Sequence, residues 1–291
     1  MKFLSLILVA SLLTPTAFAC TEDGTGGFLP ENNLSIPVGD KSAAGLTEEQ
    51  FNDVIDQYEG IYSSIISGMG GTLKVNRLWD NATVNASAQR QGTTWVVNMY
   101  GGLARHATIT ADGFALVVCH EIGHHLGGAP KVAGFLGMNA WASNEGQADY
   151  YATLKCLRQA FLNDDNASIV SNMNVPALLS EKCSKQYSSK ADRDICVRSG
   201  MAGASVAGLF AALRSQPEGK FETPDASVVS RTNDAHPAHQ CRLDTYFQGA
   251  LCDKTLGEEV DQKDEVRGTC HASIGSKSGL RPLCWFKPSV Q

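Results

Sequence analysis

The sequence predicts an α+β domain, mostly helical, with one small antiparallel sheet beside a buried helix that carries paired histidines. Three observations lead there. Apolar residues recur at helical spacing over residues 51–65 and run through 110–126. Between them, residues 72–100 are rich in Val, Thr, Trp and Tyr and are cut by turn-forming pairs. The chain has 291 residues, 43% of them hydrophobic, enough for a substantial core. Its 24 Lys+Arg against 30 Asp+Glu give a formal net charge of −6, with no basic excess to attract nucleic acid or an anionic membrane. Disorder over the whole chain is excluded by the same composition.

The elements follow in chain order. Lys2, the apolar run Phe3 to Leu13 and Ala17-Phe18-Ala19 form a signal peptide over 1–19, cleaved before Cys20. Neither this run nor any later stretch reaches the roughly 20 apolar residues that a transmembrane helix needs. The mature chain is therefore expected to be exported, periplasmic or secreted. Cys20 leaves open a lipid anchor, and so an outer-membrane lipoprotein. Nine cysteines fit an oxidising compartment. Cys183 with Cys196, and Cys252, Cys270 and Cys284, read as loop staples, and Cys119 as a buried free thiol.

Residues 20–45 lack periodicity and read as a flexible leader. Thr47 and Gln50 form a capping box for a helix ending near Gly68. Strands are expected over 72–79, 82–90 and 93–100, helices over 110–126, 142–161 and 176–214, and a last helix from Pro237 to about Leu251. Thr93 to Tyr100 is expected to offer an edge on which an extended peptide adds as a further strand. The domain is placed at 46–252, and 253–291 reads as a Cys-containing tail.

The decisive segment is Cys119-His120-Glu121-Ile122-Gly123-His124-His125. On a helix, His120 and His124 project from one face one turn apart, where two imidazoles can take a zinc ion. Glu121 is turned by about 100° from His120, so its carboxylate can reach a metal-bound water and act as general base. Chance would give this spacing roughly once per hundred such chains. Asn144-Glu145-Gly146-Gln147-Ala148-Asp149 opens the next helix. Glu145 can supply the third Zn2+ ligand, and Asp149, one turn on, can accept the outer N–H of a ligand histidine. His125 faces away from that metal and reads as a surface or packing residue.

Here the sequence resembles the gluzincin metallopeptidases, which pair His-Glu-x-x-His with a downstream Glu-x-x-x-Asp helix. His236-Pro237-Ala238-His239-Gln240-Cys241-Arg242-Leu243 is similar to the His-Pro-x-x-x-x-Arg-apolar signature of the CAAX prenyl-endopeptidase family and its periplasmic bacterial relatives. The resemblance spans residues 46–252, without the family's membrane-spanning helices and with an added Cys-bearing tail. It implies a zincin-like metallopeptidase domain whose substrate is a protein or peptide. It also implies that His236 or Arg242 serves as a catalytic donor to the oxyanion. The competing expectation is an envelope-assembly or chaperone-like zinc protein whose proteolysis is minor or gated. A disulfide-stabilised binding protein that has lost its activity is a third, against which the intact Glu121 argues.

Overall fold

The computed structural model describes residues 17–18, 27–133 and 139–289. The expected signal segment and Cys20 lie outside the described residues, except for Ala17–Phe18 (β1), whose backbone pairs with a later strand. Helix α1, Glu48–Gly68, starts on the expected capping box. The Thr47 hydroxyl accepts the Gln50 N–H, and the Gln50 side chain accepts the Thr47 N–H. Its buried stripe of Phe51, Ile55, Tyr58, Tyr62 and Ile66 repeats at helical spacing and lies on the main core.

The sheet contains β2 (Thr72–Leu78), β3 (Ala86–Gln91) and β4 (Thr94–Tyr100), in the order β1-β3-β4-β2. β3 and β4 form an antiparallel hairpin that turns at Gly92, whose φ is +61°. β2 pairs with β4 in parallel, so the sheet is mixed and not purely antiparallel. The link from β2 to β3 carries the chain to the far side of β4. Thr94–Tyr100 is therefore a central strand, which explains its run of buried residues. The outer strands are β1 and β2, and β3 is covered by β1 only over Gln89 and Arg90.

Helix α2 (Gly101–Ala104) leads to α3 (Ala111–Leu126), capped by the Thr110 hydroxyl on the Gly113 N–H at 3.0 Å. An unexpected hairpin follows, β5 (Lys131–Ala133) with β6 (Asn139–Ser143). Asn144 caps α4 (Glu145–Tyr151), so the helix starts later than the apolar pattern suggested. It continues through a π turn, Ala152–Cys156, into α5 (Leu157–Phe161). After α6 (Asn166–Ser171), the single helix expected over 176–214 is two, α7 (Ala177–Gln186) and α8 (Lys190–Leu213). The break falls where Tyr187 is extended and Ser189 caps the new start. By length and composition α8 could cross a membrane, contrary to expectation, but 78% of its apolar window is buried against neighbours that include α3 and α9 (His239–Leu251).

Three further expectations change. The leader is not loose throughout, since Phe28 and Leu29 are fully buried in the core and Ile36 joins them. The tail is part of the domain. Trp285 is fully buried and lies where a Cβ on Gly146 would sit, 2.2 Å from it, so only glycine fits there. Cys119 is not a thiol but pairs with Cys156. Cys183–Cys196, Cys241–Cys284 and Cys252–Cys270 complete four disulfides among the described residues.

Candidate metal centre

Two helices build the centre. α3 carries His120, Glu121 and His124, and α4 carries Glu145 and Asp149. The helices can meet because Gly123 faces α4, where a Cβ would come within 2.9 Å of the Ala148 carbonyl. The Cys119–Cys156 bond ties α3, next to His120, to the π turn that continues α4. All five residues are at most 1% exposed.

The expected ligands converge. His120 Nε2 lies 3.3 Å from Glu145 Oε2, and His124 Nε2 lies 3.7 Å from Glu145 Oε1. One donor atom from each of the three lies within 4.8 Å of the others. The outer nitrogens are already spent. His120 Nδ1 donates to Asp149 Oδ1 at 2.7 Å, and His124 Nδ1 to the Ser143 carbonyl at 2.8 Å. This fixes both tautomers with Nε2 as the acceptor nitrogen. Among the described residues, His120 Nε2, both Glu145 oxygens and both Glu121 oxygens are buried without a hydrogen-bond partner. Buried polar atoms left this way are costly unless something occupies the space between them. Two neutral imidazoles and a carboxylate are a donor set that suits zinc.

The electrostatics of the ion-free centre favour a second proton on His120, which a metal would displace on binding. Burial would lower the His120 imidazole, but the Asp149 and Glu145 carboxylates overcome it and raise it to about 9. Burial pulls His124 down to about 4. Burial would raise Glu145, yet His236, His120 and His124 hold it far below the usual carboxylate range. Burial, helped by the Glu145 and Asp149 charges, outweighs His120 and Arg242 and pushes Glu121 up to about 8. A carboxyl poised near neutrality is suited to moving a proton.

Arg242, expected at the oxyanion, is elsewhere. It is fully buried, and its Nε and Nη2 bind the two Asp149 oxygens, each at 2.7 Å. Its Nη1 donates to the Phe28 carbonyl at 3.0 Å. Every edge of the guanidinium is taken, so Arg242 acts by keeping Asp149 ionised and aimed at His120; Tyr246 adds a hydroxyl donor at 2.8 Å. His236 does reach the centre. Its Nε2 is 3.5 Å from Glu145 Oε2 and 2.8 Å from the Gly27 carbonyl.

Comparison with protein-family models, with curated proteins and with solved structures finds no match. The chemistry of the centre rests on its own geometry. Three participants were invisible in the sequence. Gly27 and Phe28 come from the supposed leader: the Phe28 ring packs edge-on to His120 at 4.8 Å, and its N–H donates to Ala86 on β3. Ser143 contributes only a backbone carbonyl, which no side-chain motif signals. His125 is a packing residue, stacked between Trp95 and Trp141.

Proposed function

We propose that the protein is an exported zinc-dependent endopeptidase, with His120, His124 and Glu145 as ligands and Glu121 as general base. The observation that carries this reading is the convergence of one donor atom each from His120, His124 and Glu145, with His120 Nε2, both Glu145 oxygens and the nearby Glu121 carboxyl buried without a hydrogen-bond partner. When bound there, zinc acts as a Lewis acid that acidifies water and polarises a carbonyl. Glu121 takes a proton from water held at the ligand face and returns it to the leaving amine. Asp149 and the Ser143 carbonyl orient the two imidazoles, and Arg242 holds Asp149 in its charged form. His236 is the remaining donor near the scissile carbonyl. An extended substrate adds along β3 once β1, its two-residue neighbour over Gln89 and Arg90, is removed with the expected signal peptide.

Metal analysis of the purified protein, paired with cleavage of denatured casein with and without chelator, tests the proposal. About one zinc per chain and chelator-sensitive cleavage are expected. No stoichiometric zinc after reconstitution, or cleavage indifferent to chelator, would sink it. One observation favours the gated version of this activity, in which the protein serves chiefly in envelope assembly. The chain's own Gly27 carbonyl occupies the acceptor position in front of His236, and Gly27 to Leu29 are buried against the centre.

A further inference from the structure

Most charged side chains of the core have spent their charge. Arg77, Arg198 and Arg242 pair with carboxylates. Arg105 has no such partner but donates to the carbonyls of Ile36, Trp79 and Asn81. Arg90, on β3 beside the two-residue strand β1, is different. Its only hydrogen bonds among the described residues are two long ones, 3.4 Å each, to His125 Nδ1 and the His125 carbonyl. Its guanidinium lies 3.8 Å from the ring centre of Trp95 and 4.9 Å from that of Trp141. Those indoles sandwich His125, with interplanar angles of 17° and 19°, so the guanidinium sits on a rigid aromatic platform.

A second cation stands near it. Lys131 opens β5 and donates from Nζ to the Trp141 carbonyl at 3.0 Å and to Gln262 at 2.6 Å. No carboxylate among the described residues acts on either cation. Burial alone lowers Arg90 to about 10, and burial with the Arg90 charge lowers Lys131 to about 8. In sequence, residues 134–138 read Gly-Phe-Leu-Gly-Met and hold no acid. In a chain with a net charge of −6, two half-buried cations side by side without an acid are an unsatisfied demand for an anion. His125, the other titratable group facing them, is kept neutral by burial.

Their place in the fold says where the anion comes from. Arg90 sits on the side of β3 where only Ala17 stands opposite it, and cleavage after Ala19, as the sequence leads one to expect, would remove that neighbour. His125 directly follows the ligand His124, so the platform adjoins the metal centre. We infer that Arg90 and Lys131 form a subsite for an acidic side chain, so that the preferred substrate is an extended peptide with Asp or Glu at the position crossing β3 at Arg90. The inference rests on the endopeptidase reading and narrows its substrate class. Arg supplies a planar fork that matches a carboxylate, and Lys131 adds a second charge.

The test uses binding, so that turnover is not required. Zinc-loaded Glu121→Gln protein is titrated with amidated peptides of one sequence in which a single Glu, or Gln as control, is moved through every position. At one position the Glu peptide should bind about ten-fold tighter than its Gln twin. Arg90→Gln and Lys131→Gln should each reduce that ratio towards one while leaving the affinity of the Gln peptide unchanged, and Arg90→Lys should restore part of it. A purely structural Arg90 would instead weaken both peptides together. A ratio of one at every position, or a ratio that survives both substitutions, overturns the subsite while leaving the peptidase reading intact. Failure of every peptide to bind overturns both.

Discussion

Two clusters of metal-capable side chains occur among the described residues, and only one is a plausible centre in physical terms. His120, His124 and Glu145 meet on α3 and α4; Asp225, Cys241 and Cys284 meet beside the tail. In the second, the two sulfurs are bonded to each other and the Asp225 carboxylate accepts the Ser227 N–H at 2.9 Å. In the first, the outer nitrogens are tied down, and His120 Nε2 and both Glu145 oxygens are left over. The tail also lines a cavity of about 530 Å³, walled by Val228, Leu280 and Phe286 among others, that lies away from the ligand histidines. Neither nearness of ligand types nor volume identifies a metal site. Unspent donor atoms held in a fixed orientation do.

The contrast breaks most sharply on metal loading. His124→Ala should abolish stoichiometric zinc after reconstitution, since two ligands remain of three. Cys241→Ser with Cys284→Ser should leave zinc unchanged while costing about 2–5 kcal/mol of stability. Elemental analysis beside thermal unfolding reads both, and loss of zinc from the tail variant would reverse the assignment of the two clusters.

Asp149→Asn comes next. The amide cannot carry the charge that binds Arg242, so a buried guanidinium is left uncompensated at about 3–5 kcal/mol. The weakened orientation of His120 should cost about 10–100-fold in zinc affinity. Competition with a chromogenic chelator measures it, and unchanged affinity in a folded variant would show that Asp149 serves only the core.

A smaller effect appears in the metal-stripped protein as a function of pH. His120 is raised to about 9 and Glu121 to about 8 in the fold, so both favour the protonated folded state. Their contribution is present at low pH and is lost as the pH climbs through 8 and 9. His124, lowered to about 4, has the opposite sign, and its contribution is lost as the pH falls from about 6.5 to 4. The stripped protein should therefore melt lower at pH 9 than at pH 6.5, and zinc should flatten that difference because coordination holds the imidazoles deprotonated. An equal slope with and without zinc would remove these groups from the centre.

The sequence made the ligand face legible because a helix turns His-Glu-x-x-His into geometry without help from the rest of the fold. The same holds for the Thr47–Gln50 capping box and for Asp149 one turn beyond Glu145. What it concealed depends on distant partners. Nothing near Thr94–Tyr100 says that β2 will pair with it in parallel and make it central. Cys119 finds Cys156 only once α3 and α4 dock. Phe28 reads as leader because its packing partners, His120 and Phe210, lie far along the chain. Arg242 was expected to face the oxyanion and binds Asp149 instead, since a motif names a side chain and not the atoms it will touch.

The last prediction concerns the pair of residues that should leave zinc loading unchanged. Glu121→Gln keeps the shape of the side chain and removes the proton acceptor, so turnover should fall by at least about 10²–10⁴ while metal and fold persist. His236→Ala removes a hydrogen bond to Gly27 worth about 0.5–1.5 kcal/mol, a small change in stability. Its effect on kcat identifies its role. With Nε2 protonated, His236 faces an acceptor oxygen beside Glu145, the Gly27 carbonyl at 2.8 Å. A scissile oxygen that took that place would receive the same donor as charge develops on it. The expected outcome is therefore a fall in kcat of about 10²–10³ with KM little changed. A rise in kcat would instead make His236 the clasp that holds Gly27 over the centre, and the gated reading would then replace the constitutive one. Steady-state kinetics on both variants, with zinc content measured in parallel, separate the outcomes.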